Sequence, residues 1–261
     1  MLKKYFKIWL LMTTCVSQIA FLSRFGAVLF IIGKFLRFGF FLLFLIILET
    51  QTKGIEGYNL WQVIFFFATF NLIDTLPQLF FREVYRFRSY VVSGQFDFFL
   101  TKPLSPLFRS LLGGSDILDL SMIFIAVGFI ALSATRLEGI TGLSIISYLL
   151  LIANALVIAM ALHILVISVG VLTTEVDNTI MLYRDITQMG RIPVDVYREP
   201  LSFLITFVIP VGVMATFPAK ALMGLLTLQF MMISFLISGI LLAASLAFWK
   251  FSLKNYSSIS T

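Results

Sequence analysis

Apolar residues in this chain fall into long blocks separated by short polar stretches. A membrane-spanning helix needs about 20 mostly apolar residues. Blocks of that size lie at roughly 29–48, 60–81, 117–134, 143–172, 201–217 and 222–249, and they predict six spans. Lys34 and Arg37 fall inside the first block, where long stems let cations snorkel to the headgroups. Trp61 marks the outer interface of the second span, and Pro77 predicts a kink near its end. The fourth block is long enough for a tilted helix with a protruding end. Short turns at 49–59 and 136–142 separate the outer ends.

Two longer polar islands interrupt the pattern, at 82–112 and 173–200. The first carries Arg82, Arg86, Arg88, Lys102 and Arg109 against Glu83 and Asp97. Aromatic and aliphatic residues are interleaved with these charges, among them Tyr85, Phe87, Tyr90, Phe96, Phe98 and Phe99. A loop wholly in water would not need them. This predicts a surface that lies on headgroups or docks a soluble partner. The second island holds Arg184, Arg191 and Arg198 with five acids, and is read as a second loop at the same side.

Residues 1–24 begin with a cationic patch and a short apolar core, but Thr13 and Thr14 interrupt that core before any small-residue cleavage site. Helical spacing puts Tyr5, Ile8, Trp9, Met12, Val16 and Ile19 on one face, and Lys3, Lys7, Thr14 and Ser17 on the other. The expectation is an amphipathic helix lying in the interface, with Trp9 at headgroup depth.

Composition supports the class that the pattern implies. The chain is 60% hydrophobic and 12% charged, with a mean hydropathy of +1.02. Soluble domains average about 25% charged, so residues 1–261 read as one all-helical integral membrane domain. The charge count also orients it. With both termini inside, sixteen of the nineteen cations face inward and only Lys53, Arg136 and Lys220 face outward, as the positive-inside rule demands. The net charge of +6 therefore needs no nucleic acid to explain it. The single Cys15 excludes an internal disulfide and a cysteine metal cluster.

Catalytic signatures are missing. The only Gly-Lys pair, Gly33-Lys34, is followed by Phe35 and is no phosphate-cradling loop. There is no HExxH, no nucleophile elbow and one histidine. The chain is expected to be no enzyme, and to bind no cofactor or metal itself.

Spaced residues then carry a resemblance. The run Gly94-x-x-Asp97-x-x-Leu100-x-Lys102-Pro103-Leu104-x-x-Leu107, followed by Arg191-x-Pro193-x-x-x-Tyr197, Phe207-x-Ile209-Pro210 and Pro218-Ala219-x-x-Leu222, resembles the bacterial ABC-2 type export permeases of six spans. Phe96 stands where leucine is commoner in that family. The resemblance implies a plasma-membrane subunit that pairs with a second copy or a related permease. It also implies cytoplasmic ATPase subunits as partners, with ATP and Mg bound there. The coupling helix would dock in a groove of the ATPase. On that expectation Gly94 makes the turn, Asp97 caps a helix starting at Phe98, and Lys102-Pro103 stops it. Phe98, Phe99 and Leu100 would supply the apolar contact, with Leu104 a further coupling residue.

Three other features are candidates of smaller weight. Asn154 and His163 lie mid-span, where a polar side chain either serves the pathway or bonds a neighbouring helix; the packing role is the expectation. Pro210 and Pro218 would shape an outer gate. The alternative functions are an ATP-independent transporter or channel, and a membrane scaffold or immunity protein. The scarcity of paired ionisable residues in the spans argues against the first of these.

Overall fold

The computed structural model describes residues 2–52 and 57–257, and every regular element among them is helical. In chain order these are α1 (Leu2–Leu22), α2 (Arg24–Thr52), α3 (Leu60–Phe80), α4 (Phe87–Val92), α5 (Gln95–Thr101), α6 (Pro106–Leu111), α7 (Leu120–Ala134), α8 (Gly142–Thr173), α9 (Val176–Thr187), α10 (Leu201–Phe203), α11 (Val211–Leu222) and α12 (Leu228–Lys254). Short 3-10 turns and one π-helical turn, Leu204–Val208, join several of them. Among the described residues, six helices are long and apolar enough to cross a membrane: α1, α2, α3, Ile117–Ala134, α8 and α12. The protein is an all-α, multi-pass membrane protein.

The two central helices start from reciprocal caps. Asn59 and Gln62 bond each other's backbone N–H at the head of α3, and Thr141 and Ser144 do the same for α8, satisfying donors that would otherwise be stranded. Most of α3 and much of α8 are buried. Phe65, Phe66, Tyr148, Ala155, Ile158, Val213 and Phe217 from α3, α8 and α11 form the main core. Small residues on α8 let α11 and α12 approach closely, the means by which helices pack in lipid. By contrast α2 and α12 keep large apolar side chains such as Phe40, Phe44, Leu236 and Ile240 exposed, as lipid or a second subunit requires.

At 32 residues α8 is about 48 Å long, longer than the roughly 30 Å hydrocarbon layer. Its last turns therefore reach into the first island. The chain ends meet there too. Tyr5 Oη accepts from the backbone N–H of Ser105 at 3.3 Å, and Tyr256 Oη donates to Asp97 at 2.9 Å. The start of α1 and the segment after α12 thus share the island end of the bundle.

Along its length α1 touches that end of the bundle. Besides the Tyr5 contact, Thr13 Oγ1 accepts from the N–H of Ser115 at 3.2 Å, and the backbone at Gly114 comes up against Met12 and Val16. The face of Tyr5, Ile8, Trp9, Met12 and Val16 is half-buried, and it is buried against protein. Trp9 stacks obliquely near Phe80, ring centroids 6.4 Å apart. Phe6, Leu10, Leu11, Phe21 and Leu22 are exposed apolar residues, and Ile19 belongs with them. Ser17, assigned to the polar face, is buried and donates to Thr13 O at 2.6 Å. A hydroxyl bonded to its own helix carries little polar character.

The last third of the chain differs most from the apolar-block reading. The expected span at 201–217 is no straight helix: Leu201–Val208 and Val211–Leu222 meet at 89°. Pro210 sits at that corner and has no N–H to carry a helix through it. The final span begins at Leu228 rather than near 222, because Met223–Thr227 is a turn closed by Gly224 at φ +69°. Nor does 173–200 stay at one end. It climbs through α9, passes Gly190 against Phe70, Val211 and Ala215, and reaches Asp195. That carboxylate accepts from Tyr58 Oη at 2.9 Å and pairs with Lys220 at 2.7 Å, both at the end of the bundle opposite the island. Charge density marked these residues as a loop, yet Arg184 lies over the Tyr85 ring and Arg191 over the Phe41 ring.

Candidate functional site

The first island is a folded cap across the bundle end. At its centre Glu83 is 1% exposed. It accepts from Arg109 Nη1 at 2.6 Å and from Tyr90 Oη at 2.7 Å, with Arg86 Nη1 3.7 Å away. The Arg109 guanidinium also lies over the rings of Phe99 and Tyr90, at 4.8 and 5.6 Å. Burial, then the bond and charge of Glu83, push the Tyr90 hydroxyl pKa up, so it remains a donor. A Cβ on Gly113 would stand 2.0 Å from Arg109 Nη1 and 2.3 Å from Glu83 Cδ. Only glycine lets the chain close over this pair.

Within the cap, α5 is a two-sided helix. Gly94 turns the chain into it at φ +71°, ψ 2°, a left-handed conformation that costs other residues about 1–2 kcal/mol. Phe96 points inward and is fully buried, its ring 5.2 Å from those of Phe87 and Tyr256 and 6.4 Å from Trp249 on α12. Phe99 is inward as well, 5.1 Å from Tyr90. Outward stand Phe98, 63% exposed, and Leu100, 40% exposed. Lys102 and Pro103 follow, exposed, and Leu104 is half-buried. Lys102 takes extended geometry at φ −81°, ψ 149° and ends the helix ahead of Pro103.

Two details depart from the sequence expectation. The helix starts at Gln95, so Asp97 lies in its first turn and is not the cap. Its carboxylate takes the Tyr256 hydroxyl instead, tying α5 to the segment after α12. The apolar contact is also reduced: Phe99 belongs to the inner face because one helical turn from Phe96 brings it back to the same side. Phe98 and Leu100 are the residues presented.

Asn154 and His163 are both buried on α8. Asn154 Nδ2 donates to Ser234 O at 3.2 Å, and its Oδ1 accepts from Ser238 at 2.5 Å, joining α8 to α12. His163 Nδ1 lies 2.7 Å from Ala159 O of its own helix. Its ring is boxed by Tyr183, Phe81 and Tyr85, at 4.7, 5.4 and 6.4 Å. Pro210 occupies the 89° corner, while Pro218 is buried within α11. The two are therefore a break and a packing residue in one hairpin.

A second site was not legible from the apolar blocks. A cavity of about 50 Å³ opens between α2, α3 and the turn at Gln188–Arg191. Its charged residues are Lys34, Arg37, Arg191 and Asp74, with Asn71, Gln78 and Gln188 as amides. Phe38, Phe41 and Phe67 form the apolar wall. Gln78 Nε2 donates to Asp74 at 3.0 Å, Arg37 donates to Gln188 Oε1 at 2.8 Å, and Lys34 pairs with Asp119. Asp74 lies six residues from the end of α3, roughly 9 Å in from the island end. An ionisable residue inside a span is itself a functional signal. That signal was available in the sequence but hidden within a block read as uniformly apolar.

The chain is thus a multi-helix membrane bundle with a folded basic cap at one end. The family profile of the ABC-2 family transporter proteins matches residues 35–260, and the chain belongs to that family. No curated protein matches the chain.

Proposed function

We propose that the chain is the permease subunit of an ATP-driven exporter, coupled to a separate cytoplasmic ATPase through the cap at 82–112. One observation carries this reading: α5 is anchored on one side and bare on the other. Its inner face is fixed to Phe87, Trp249 and Tyr256, so displacement of α5 moves the end of α12. Its outer face presents two apolar side chains beside Lys102, left largely uncovered among the described residues. The ATPase would hold ATP and Mg, and this subunit would pair with a second permease, identical or related. The island end would then face the cytoplasm of a bacterium, as the cation count predicts. The α10–α11 corner at Pro210 would be part of a closure within the bundle, because Val211 beside it packs against Gly190 and lies next to Asp74.

The test is reconstitution of the full chain with the ATPase that co-purifies with it. Phe98→Glu or Lys102→Glu should abolish transport-linked stimulation of ATP hydrolysis, while assembly of the permease and its thermal stability are retained. Unchanged stimulation in both variants would remove α5 as the coupling element.

A further inference from the structure

We propose that the cavity at Arg37, Asp74 and Arg191 binds the anionic group of an amphiphile, with the apolar body lying outside along Phe41 and Phe44. The inference rests on the transport reading only for the claim that this amphiphile is cargo.

Charge bookkeeping at the site comes first. Lys34 is committed to Asp119. That leaves Arg37 and Arg191 facing the single carboxylate of Asp74, and no ion pair holds either arginine among the described residues. Arg37 is satisfied by an amide oxygen, and Arg191 lies over the Phe41 ring at 5.1 Å. One positive charge is in excess in a cavity whose other walls are phenyl rings and uncharged amides. Unpaired charge in such surroundings is costly, and two guanidinium forks converging on one cavity suit a carboxylate, sulfate or phosphate oxygen set.

Geometry limits what enters. A cavity of about 50 Å³ has room for a few waters or one small anionic group, not for a whole amphiphile. Arg37 is exposed at its mouth. From there Phe41 and Phe44 continue along α2, ring centroids 5.8 Å apart, and Phe44 is 52% exposed. A polar head in the cavity and a chain on that strip is the arrangement these residues offer. The competing occupant is an organic cation held by Asp74, which the excess of arginines opposes.

The experiment is equilibrium binding to the purified full chain in nanodiscs, without any ATPase. The probes are dodecyl phosphate, dodecyltrimethylammonium and inorganic phosphate. Dodecyl phosphate should bind, and Arg191→Gln should weaken it about tenfold or more with unfolding behaviour unchanged. Asp74→Asn should leave that binding equal or tighter. Inorganic phosphate should bind far more weakly, since it lacks the chain. Preference for the ammonium probe with loss in Asp74→Asn would overturn the proposal, as would dodecyl phosphate binding that ignores Arg37→Gln and Arg191→Gln alike. Because no nucleotide is involved, a failure here leaves α5 coupling standing, and a failure of coupling leaves this binding result intact.

Discussion

Replacing Arg109 by methionine removes the guanidinium that Glu83 depends on while keeping a stem of similar length against Phe99 and Tyr90. The carboxylate, 1% exposed, is left with the Tyr90 hydroxyl at 2.7 Å and with Arg86 at 3.7 Å. Arg86 is 45% exposed, so its attraction is screened. Breaking one side of a buried pair costs about 3–5 kcal/mol, because the remaining charge stays desolvated. The surviving tyrosine bond places Arg109→Met near the lower bound, about 3 kcal/mol. Loss of the cation over two rings adds about 0.5–1 kcal/mol. Adding Glu83→Gln removes the stranded charge, so the double variant should recover more than half of the loss. Unfolding in mixed micelles, followed by tryptophan fluorescence, measures both. A single variant that loses less than about 1 kcal/mol, or a double variant no better than the single, would refute the idea that a buried ion pair closes the cap.

Two further outcomes follow from the same structure. Phe96→Ala should destabilise the protein by about 3–5 kcal/mol, the range for emptying a buried aromatic site, in unfolding experiments on the purified chain. Asn154→Leu breaks the amide link between α8 and α12 and should cost about 0.6–1.7 kcal/mol; Ser238 retains its bond to Phe235 O at 2.9 Å, so a larger loss in the same assay would mean that Asn154 does more than join helices.

The spans at α2, α3, α7 and α8 could be read from sequence because each is a single apolar run bounded by a turn or a cap. Hydrophobicity fails where the chain changes direction inside the apolar zone. The run around 222–249 includes Met223–Thr227, whose side chains are as apolar as a span's but whose backbone turns at Gly224. Polarity fails in the opposite sense at Gln188–Asp195. These residues look solvated, yet Arg191, Gln188 and Asp195 find partners on α2, at Tyr58 ahead of α3, and on α11. Within the cap, Gly94 and Lys102-Pro103 announce the limits of α5 because both act through backbone conformation. The packing of Phe96 and the use of Asp97 depend on Trp249 and Tyr256, more than 150 positions away, and no local pattern encodes them.

The two sites are joined by one element, and its arrangement gives a route between them. Arg88 of α4 stands 3.6 Å from Asp177 at the start of α9, and the Arg184 guanidinium lies 5.9 Å from the Tyr85 ring. Following α9 away from the cap leads directly to Gln188 and Arg191 in the cavity. A helix of 12 residues transmits a shift along its axis better than a loop would. On the reading proposed above, displacement of the cap changes the spacing of Arg191 from Arg37 and Asp74. A cavity that holds an anion through two guanidinium groups loses affinity when one of them withdraws, because the pair acts only when both reach the same oxygens. Release would then need no separate gate at the cavity, only the movement of α9 that the cap already grips.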